Sequence, residues 1–171
     1  GCAMADQAKP TVDDWRKLTA KYANILNRII DGAPSGMEIA IHHCRGNNAG
    51  MWQAQAGYDA VAEIMFGEVK AKSYLLEYDS PRAGDFAPLR FMPKDKIAVL
   101  GLVSTKNTKL ESASELTSRI NDASKVVPLD RLCLGPQCGF SSGFAGSPMT
   151  YESQLQKLQR IVEVTRTVWG A

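Results

Sequence analysis

The sequence predicts an α/β fold in which strand–helix units repeat to build a parallel sheet. Three observations carry this expectation. Apolar residues switch along the chain between the three- and four-residue steps of amphipathic helices and the short runs of strands. The two kinds of segment alternate in order, which calls for parallel strands joined by right-handed crossovers. Each unit also takes roughly 30 to 40 residues, the size of a βα repeat.

The elements follow in order. Residues 11–31 carry Trp15, Leu18, Tyr22, Ile25, Leu26 and Ile29 at helical steps. Thr11 with Asp14 makes a capping box, and Gly32 is expected to stop the helix in the left-handed conformation. A strand over 37–44 ends in His42-His-Cys44, and a helix near 57–66 sets Tyr58, Val61, Ala62 and Met65 on one face. Residues 73–78 read as a short buried strand, followed by a long loop through 81–86. The apolar run over 97–103 is the mark of a strand covered on both faces. Ser112 and Glu115 cap a helix carrying Leu116, Ile120 and Ala123. The last strand is expected over 129–134, and a Gly- and Ser-rich loop over 135–148. Thr150 caps the final helix, with Glu152 in its first turn and Leu155, Leu158, Ile161, Val162 and Thr165 leading to Trp169.

At 171 residues the chain has the size of one domain, and residues 1–171 are read as one. Hydrophobic content of 44% and charged content of 22% are ordinary for a globular protein. A net charge of +2, with Lys and Arg scattered, argues against a nucleic-acid partner. No apolar run approaches the roughly 20 residues of a membrane span. The first residues lack the basic-then-apolar pattern of a signal peptide. Cys2, Cys44, Cys133 and Cys138, without dense spacing, read as reduced thiols, so a cytoplasmic location is expected. A closed (β/α)8 barrel takes ~250 residues, so the units here make about half of a TIM-type barrel. Such a piece has two open edges and an apolar face. It is then a fragment of a longer chain, a half that pairs with another copy, or a small open α/β sheet.

The chemistry gathers at the strand ends. Side chains alternate along a strand, so His42 and Cys44 point one way and His43 the other. Glu77 ends an apolar strand that has no structural use for a carboxylate, and Cys138 follows the last strand. In a parallel sheet all strand C-termini share one rim, where these residues can converge. Cys, Cys, His and Glu together suit zinc in tetrahedral geometry, whereas magnesium or calcium would want an all-oxygen shell. A closed zinc holding loops together is one reading. Against it, a structural site usually draws its ligands from two local knuckles, and this set comes from three strands. The other reading is thiol activation, with Glu77 the weak ligand that an incoming thiol displaces, a catalytic role. A free thiol of pKa ~8.5 is only about 3% thiolate at pH 7, so full ionisation raises the reactive population ~30-fold.

Four segments carry a resemblance. His42-His-Cys44-Arg-Gly-Asn-Asn48, Leu75-Leu-Glu-Tyr-Asp-Ser80 with Arg82-Ala-Gly-Asp-Phe86, Gly101-Leu-Val-Ser-Thr-Lys106 and Pro136-Gln-Cys-Gly-Phe140 resemble the C-terminal catalytic domain of cobalamin-independent methionine synthase. They are more similar still to its shorter single-domain relatives, from about Trp15 to Trp169. The resemblance implies a (β/α)8 barrel with His42, Cys44, Glu77 and Cys138 as zinc ligands. It implies methyl transfer from a folate-like donor, 5-methyltetrahydrofolate, to a homocysteine-like thiol. It also implies a departure: the family's first barrel strands, which supply most contacts to the amino acid substrate, have no counterpart here. The chain therefore matches the C-terminal half of the barrel, expected either to be joined to a missing N-terminal half or to self-associate. Two alternatives stand beside this one: an alkyltransferase acting on another thiol, such as coenzyme M, and a non-catalytic zinc-binding half-barrel subunit.

Other residues admit two readings each. Arg45, Asn47 and Asn48 either contact substrate or hold their loop. Asp79, Arg82 and Asp85 make a salt-bridged loop or support the site. Lys106 is a solvated lysine or an anion contact, and the loop over 140–147 is a plain connection or a phosphate seat. His43 is expected to pack in its strand, and Cys133 to be a buried small apolar residue.

Overall fold

Thr11 caps the first helix: it accepts from the Asp14 N–H at 3.2 Å while the Asp14 carboxylate accepts from the Thr11 N–H at 2.9 Å. This is the expected capping box, and it starts α1, Val12–Asp31, in the computed structural model, which describes residues 11–141, 143 and 146–170. Cys2 and part of the loop over 140–147 lie outside the described residues. The helix stops differently from expectation. Gly32 is right-handed, at φ −85°, and its N–H turns back to Ile29 at 3.2 Å. Pro34 disfavours helical geometry just before it, so no left-handed glycine is needed.

β1 is Ala40–His43, α2 Ala62–Gly67, β2 Ser73–Glu77, β3 Ile97–Val103, α3 Ala113–Ser124, β4 Leu132–Pro136 and α4 Tyr151–Trp169. β1 begins three residues later than expected because its partner begins only at Ser73, opposite Ala40. The helix expected near 57–66 starts at Ala62; before it, Val61 and Ala62 both donate to the Tyr58 carbonyl in a turn. Residues Leu129–Arg131 form a 3-10 turn, closed by the Arg131 N–H on Pro128, so the last strand runs on to Pro136.

The four strands make one sheet in the order β1-β2-β3-β4, every pair parallel. The α/β architecture of parallel strand–helix units is as the sequence predicts. The helices cover one face. There Tyr74, Leu76, Ala98 and Leu100 pack against Phe66 of α2, Leu116 and Ile120 of α3 and Val164 of α4, all buried. The register places His42, Leu75, Val99 and Cys133 in one row on the other face, and this row is exposed or half-buried. β3 is thus covered on both faces only toward its C-terminal end, where Gly101 and Val103 are buried, whereas Ile97 and Val99 are half-buried. Cys133, expected to be buried, is exposed for the same reason.

Candidate metal centre

Above that row the register aligns Glu77 with Gly101 and Gly101 with Gly135, so no side chain crowds the carboxylate from β3 or β4. A Cβ on Gly101 would meet the Leu76 carbonyl oxygen at 2.5 Å and the Gln137 Cα at 2.8 Å. Glu77 ends β2, Cys44 follows β1 by one residue, His42 lies within β1, and Cys138 follows β4 by two. One ligand-type atom from each of these four lies within 4.8 Å of every other.

The closeness of the two sulfurs is informative. β1 and β4 are the outer strands, and strands spaced ~4.8 Å apart would hold them roughly 14 Å apart in a flat sheet. Yet Cys44 Sγ and Cys138 Sγ are 3.7 Å apart. The sheet curls, and its strand-end loops lean inward over β2 and β3.

A web of hydrogen bonds fixes the rim. Glu77 is fully buried; its Oε1 accepts from the Arg45 N–H at 3.0 Å and lies 3.5 Å from His42 Nε2. Its Oε2 is buried without a hydrogen-bond partner among the described residues. Tyr58 Oη accepts from the Glu77 N–H at 2.9 Å, and Arg45 stacks on the Tyr58 ring at 4.3 Å while bonding the Ala56 carbonyl. The Gly46 N–H donates to Cys44 Sγ at 3.4 Å. Gly46 sits at φ +90°, where a Cβ would also strike the Gln53 side chain at 2.6 Å, so this turn requires glycine. Lys106 Nζ bonds the Gly46 carbonyl and lies 4.6 Å over the Trp52 ring. Asn47 Nδ2 bonds Thr105 Oγ1 at 3.1 Å and the Gly139 carbonyl at 3.2 Å, tying the first loop to the last.

The electrostatics follow from these contacts. The bond to Glu77 holds His42 above its ordinary pKa, against the opposing effect of burial. Burial pushes Glu77 up, but His42 and the Arg45 N–H outweigh it, so the carboxyl lies below its usual value. Burial pushes the Cys44 thiol up, and the Gly46 N–H and His42 oppose it. A buried carboxylate with one oxygen unpartnered is costly unless a cation or donor meets it. Two thiolates on a tetrahedral zinc with Zn–S ~2.3 Å sit about 3.8 Å apart, close to the separation found here. The donor set and its spacing fit zinc.

The remaining candidates divide. Arg45 and Asn47 hold the loop, and Asn48 bridges to Met51. Asp79, Arg82 and Asp85 form no ion pair with one another among the described residues: Arg82 lies 5.5 Å over Trp52, and Asp85 caps the Ala87 N–H at 2.9 Å. Burial raises the Asp79 carboxyl, with Ser104 opposing. Lys106 is buried rather than solvated. His43 stacks on Tyr74 with ring centroids 6.0 Å apart, and burial lowers it to about 4. Sequence reasoning missed Tyr58, Thr105 and Gln137. Gln137 is buried, and its Oε1 accepts from the Thr105 N–H at 3.2 Å and hydroxyl at 2.9 Å. Its place beside Cys138 in Pro-Gln-Cys was the available signal.

No protein-family model matches the chain. Among curated proteins it is 41% identical over 157 residues to the uncharacterized protein YxjH of Bacillus subtilis, covering 91% of this chain and 42% of that protein. It is 42% identical over 160 residues to the uncharacterized YxjG of the same organism, covering 93% and 42%. The chain thus spans less than half the length of the curated relatives it matches. Among solved structures, it superposes at TM-score 0.68 and 30% identity on a Listeria monocytogenes protein provisionally named a vitamin-B12-independent methionine synthase. That match covers 98% of this chain and 45% of that one. A B12-independent methionine synthase from Shewanella, solved with selenomethionine, matches at TM-score 0.73 and 18% identity, covering 95% and 47%. The second likeness speaks to the fold. Among the described residues no helix is long and apolar enough to cross a membrane.

Proposed function

We propose that the chain is the C-terminal, metal-bearing half of a (β/α)8 barrel methyltransferase of the methionine synthase type. His42, Cys44, Glu77 and Cys138 hold zinc, and a homocysteine-like thiol takes a methyl group from a folate-like donor. The observation that carries this reading is the four-residue cluster, drawn from three strand ends to within 4.8 Å. The methionine synthase neighbours support the choice of reaction. When bound, zinc supplies the positive charge that keeps an incoming thiol ionised at neutral pH.

The chain's own residues prepare the exchange. Cys44, Cys138 and His42 would be the strong donors to a bound zinc, and Glu77, the one hard oxygen donor among them, would be the weakest held. The Arg45 N–H holds Glu77 Oε1, and Oε2 has no hydrogen-bond partner among the described residues, so the carboxylate is positioned with one oxygen able to meet a cation. In the overall reaction an S–CH3 bond forms, the donor's N–CH3 bond breaks, and the thiol proton ends on the donor nitrogen. Reduced Cys44 and Cys138 are needed throughout, in keeping with a cytoplasmic setting.

A second reading, a non-catalytic zinc-binding half-barrel, is favoured by the uncovered inner face of the sheet. The test is zinc content, followed by methyl transfer from 5-methyltetrahydrofolate to homocysteine by the 171-residue chain. Stoichiometric zinc with turnover supports the first reading. Stoichiometric zinc without turnover at any chain concentration supports the second, and no zinc overturns both.

A further inference from the structure

Gln137 lies between the end of β4 and Cys138, and only 1% of it is exposed. Its backbone is pinned, since the Gln137 N–H donates to the Val103 carbonyl at 2.8 Å. The side-chain amide can face one way only. The Thr105 N–H meets it at 3.2 Å, and a backbone N–H needs an acceptor, so the atom there is Oε1. Thr105 Oγ1 accepts from Asn47 Nδ2 at 3.1 Å, which leaves the hydroxyl proton for Gln137 Oε1 at 2.9 Å. Nε2 therefore points away from Thr105, and it is buried with no hydrogen-bond partner among the described residues. A buried donor left unmet is costly, and the Thr105 clamp prevents the amide from turning over.

The complementary group lies across Gly101. That residue pairs with Glu77 in the β2–β3 register, and a Cβ on it would come within 2.8 Å of Gln137 Cα. Gly101 thus keeps the space between Glu77 and Gln137 free of a side chain. Glu77 Oε2 is also buried without a partner among the described residues, and a carboxylate oxygen accepts only. Burial pushes the Glu77 carboxyl up, and Gln137 joins His42 and the Arg45 N–H in outweighing it.

We infer that Gln137 is a positioning residue for Glu77: Thr105 locks its amide so that Nε2 steadies Oε2 of the carboxylate whose Oε1 the Arg45 N–H holds. Donors on both oxygens fix the plane of the carboxylate at the edge of the metal cluster. Through Glu77, Gln137 then sets how firmly the cluster grips a cation, and this last step rests on the metal reading above.

The sharpest variant is Gln137→Glu, which keeps the oxygen that Thr105 holds and changes only the atom facing Glu77. In urea unfolding at pH 7 with chelator present, it sets two carboxylates against each other. The folding equilibrium constant is expected to fall at least about tenfold. Exchanging the pair, Glu77→Gln together with Gln137→Glu, restores one donor and one acceptor and is expected to regain most of that loss. No loss in Gln137→Glu, or an equal loss in the exchanged pair, would overturn the inference. In zinc competition, Gln137→Met is expected to weaken binding at least about tenfold in the unaltered background and by no more than about twofold beside Glu77→Ala. A similar loss in both backgrounds overturns the route through Glu77. If the unaltered chain binds no zinc, the metal reading falls, and the exchanged pair still decides whether Gln137 holds Glu77.

Discussion

The strand-end rim and the two flanks of the sheet are finished to different degrees. At the rim Glu77 has no exposed surface, and the loops after β1, β3 and β4 are tied to one another through Asn47, Lys106 and Gln137. On the flanks, Trp15, Tyr22 and Ile29 of α1 are 50%, 56% and 68% exposed, and Leu155, Leu158 and Val162 of α4 are 40%, 39% and 47% exposed. These apolar residues recur at helical steps, the pattern of a helix face that packs on something. The contrast separates two requirements that a barrel enzyme usually meets together. Preorganising a site takes short-range hydrogen bonds between neighbouring loops, and this chain supplies them. Burying a barrel's walls takes a second layer of apolar surface, which the described residues do not provide.

The largest test of that contrast is metal loading. If the rim is preformed, zinc at a free concentration 1,000 times its Kd raises unfolding stability by about 4 kcal/mol. Urea unfolding with and without chelator measures this, and equal midpoints would mean that the rim is not a site. Next comes Cys138→Ala, expected to weaken zinc binding at least about 100-fold, or about 2.7 kcal/mol, since even partners outside the coordination shell cost 10- to 100-fold. Competition with a chromophoric chelator reads it, and tight stoichiometric zinc in the variant would remove Cys138 from the ligand set. Gly101→Ala, which forces a Cβ onto two backbone atoms beneath the rim, is expected to cost about 2 kcal/mol in urea unfolding. A smaller change would show that the rim yields more readily than its packing implies. The smallest effect belongs to the flanks. Trp15→Lys and Leu158→Lys are each expected to shift stability by no more than about 0.5 kcal/mol. A loss of several kcal/mol would show that these faces belong to the core of this chain.

The parts of the fold that local chemistry decides were legible in the sequence. Thr11, Ser112 and Thr150 mark helix starts because their hydroxyls accept from backbone N–H groups three residues on. The apolar run of β3 marks its strand from Ile97 to Val103. The convergence of His42, Cys44, Glu77 and Cys138 was legible because parallel strands end on one rim whatever their loops do. What depended on partners was not legible. β1 is short because β2 begins at Ser73, a fact about another strand. Cys133 looks like a core residue in its own segment, but its row faces the side that the helices do not cover. Lys106 is buried because a carbonyl from a loop some 60 residues away meets its ammonium, and no local pattern announces that.

The curl that brings Cys44 and Cys138 to 3.7 Å has a thermodynamic consequence. The two sulfurs belong to loops at opposite edges of the sheet, so their separation gauges how far the arc has closed. An ion that binds the closed arc and a partner surface that fits the closed arc act on the same equilibrium. Linkage then makes their effects reciprocal: if docking tightens metal binding tenfold, metal tightens docking tenfold. If the arc both holds an ion and docks on a partner, removing the ion weakens docking by the same factor.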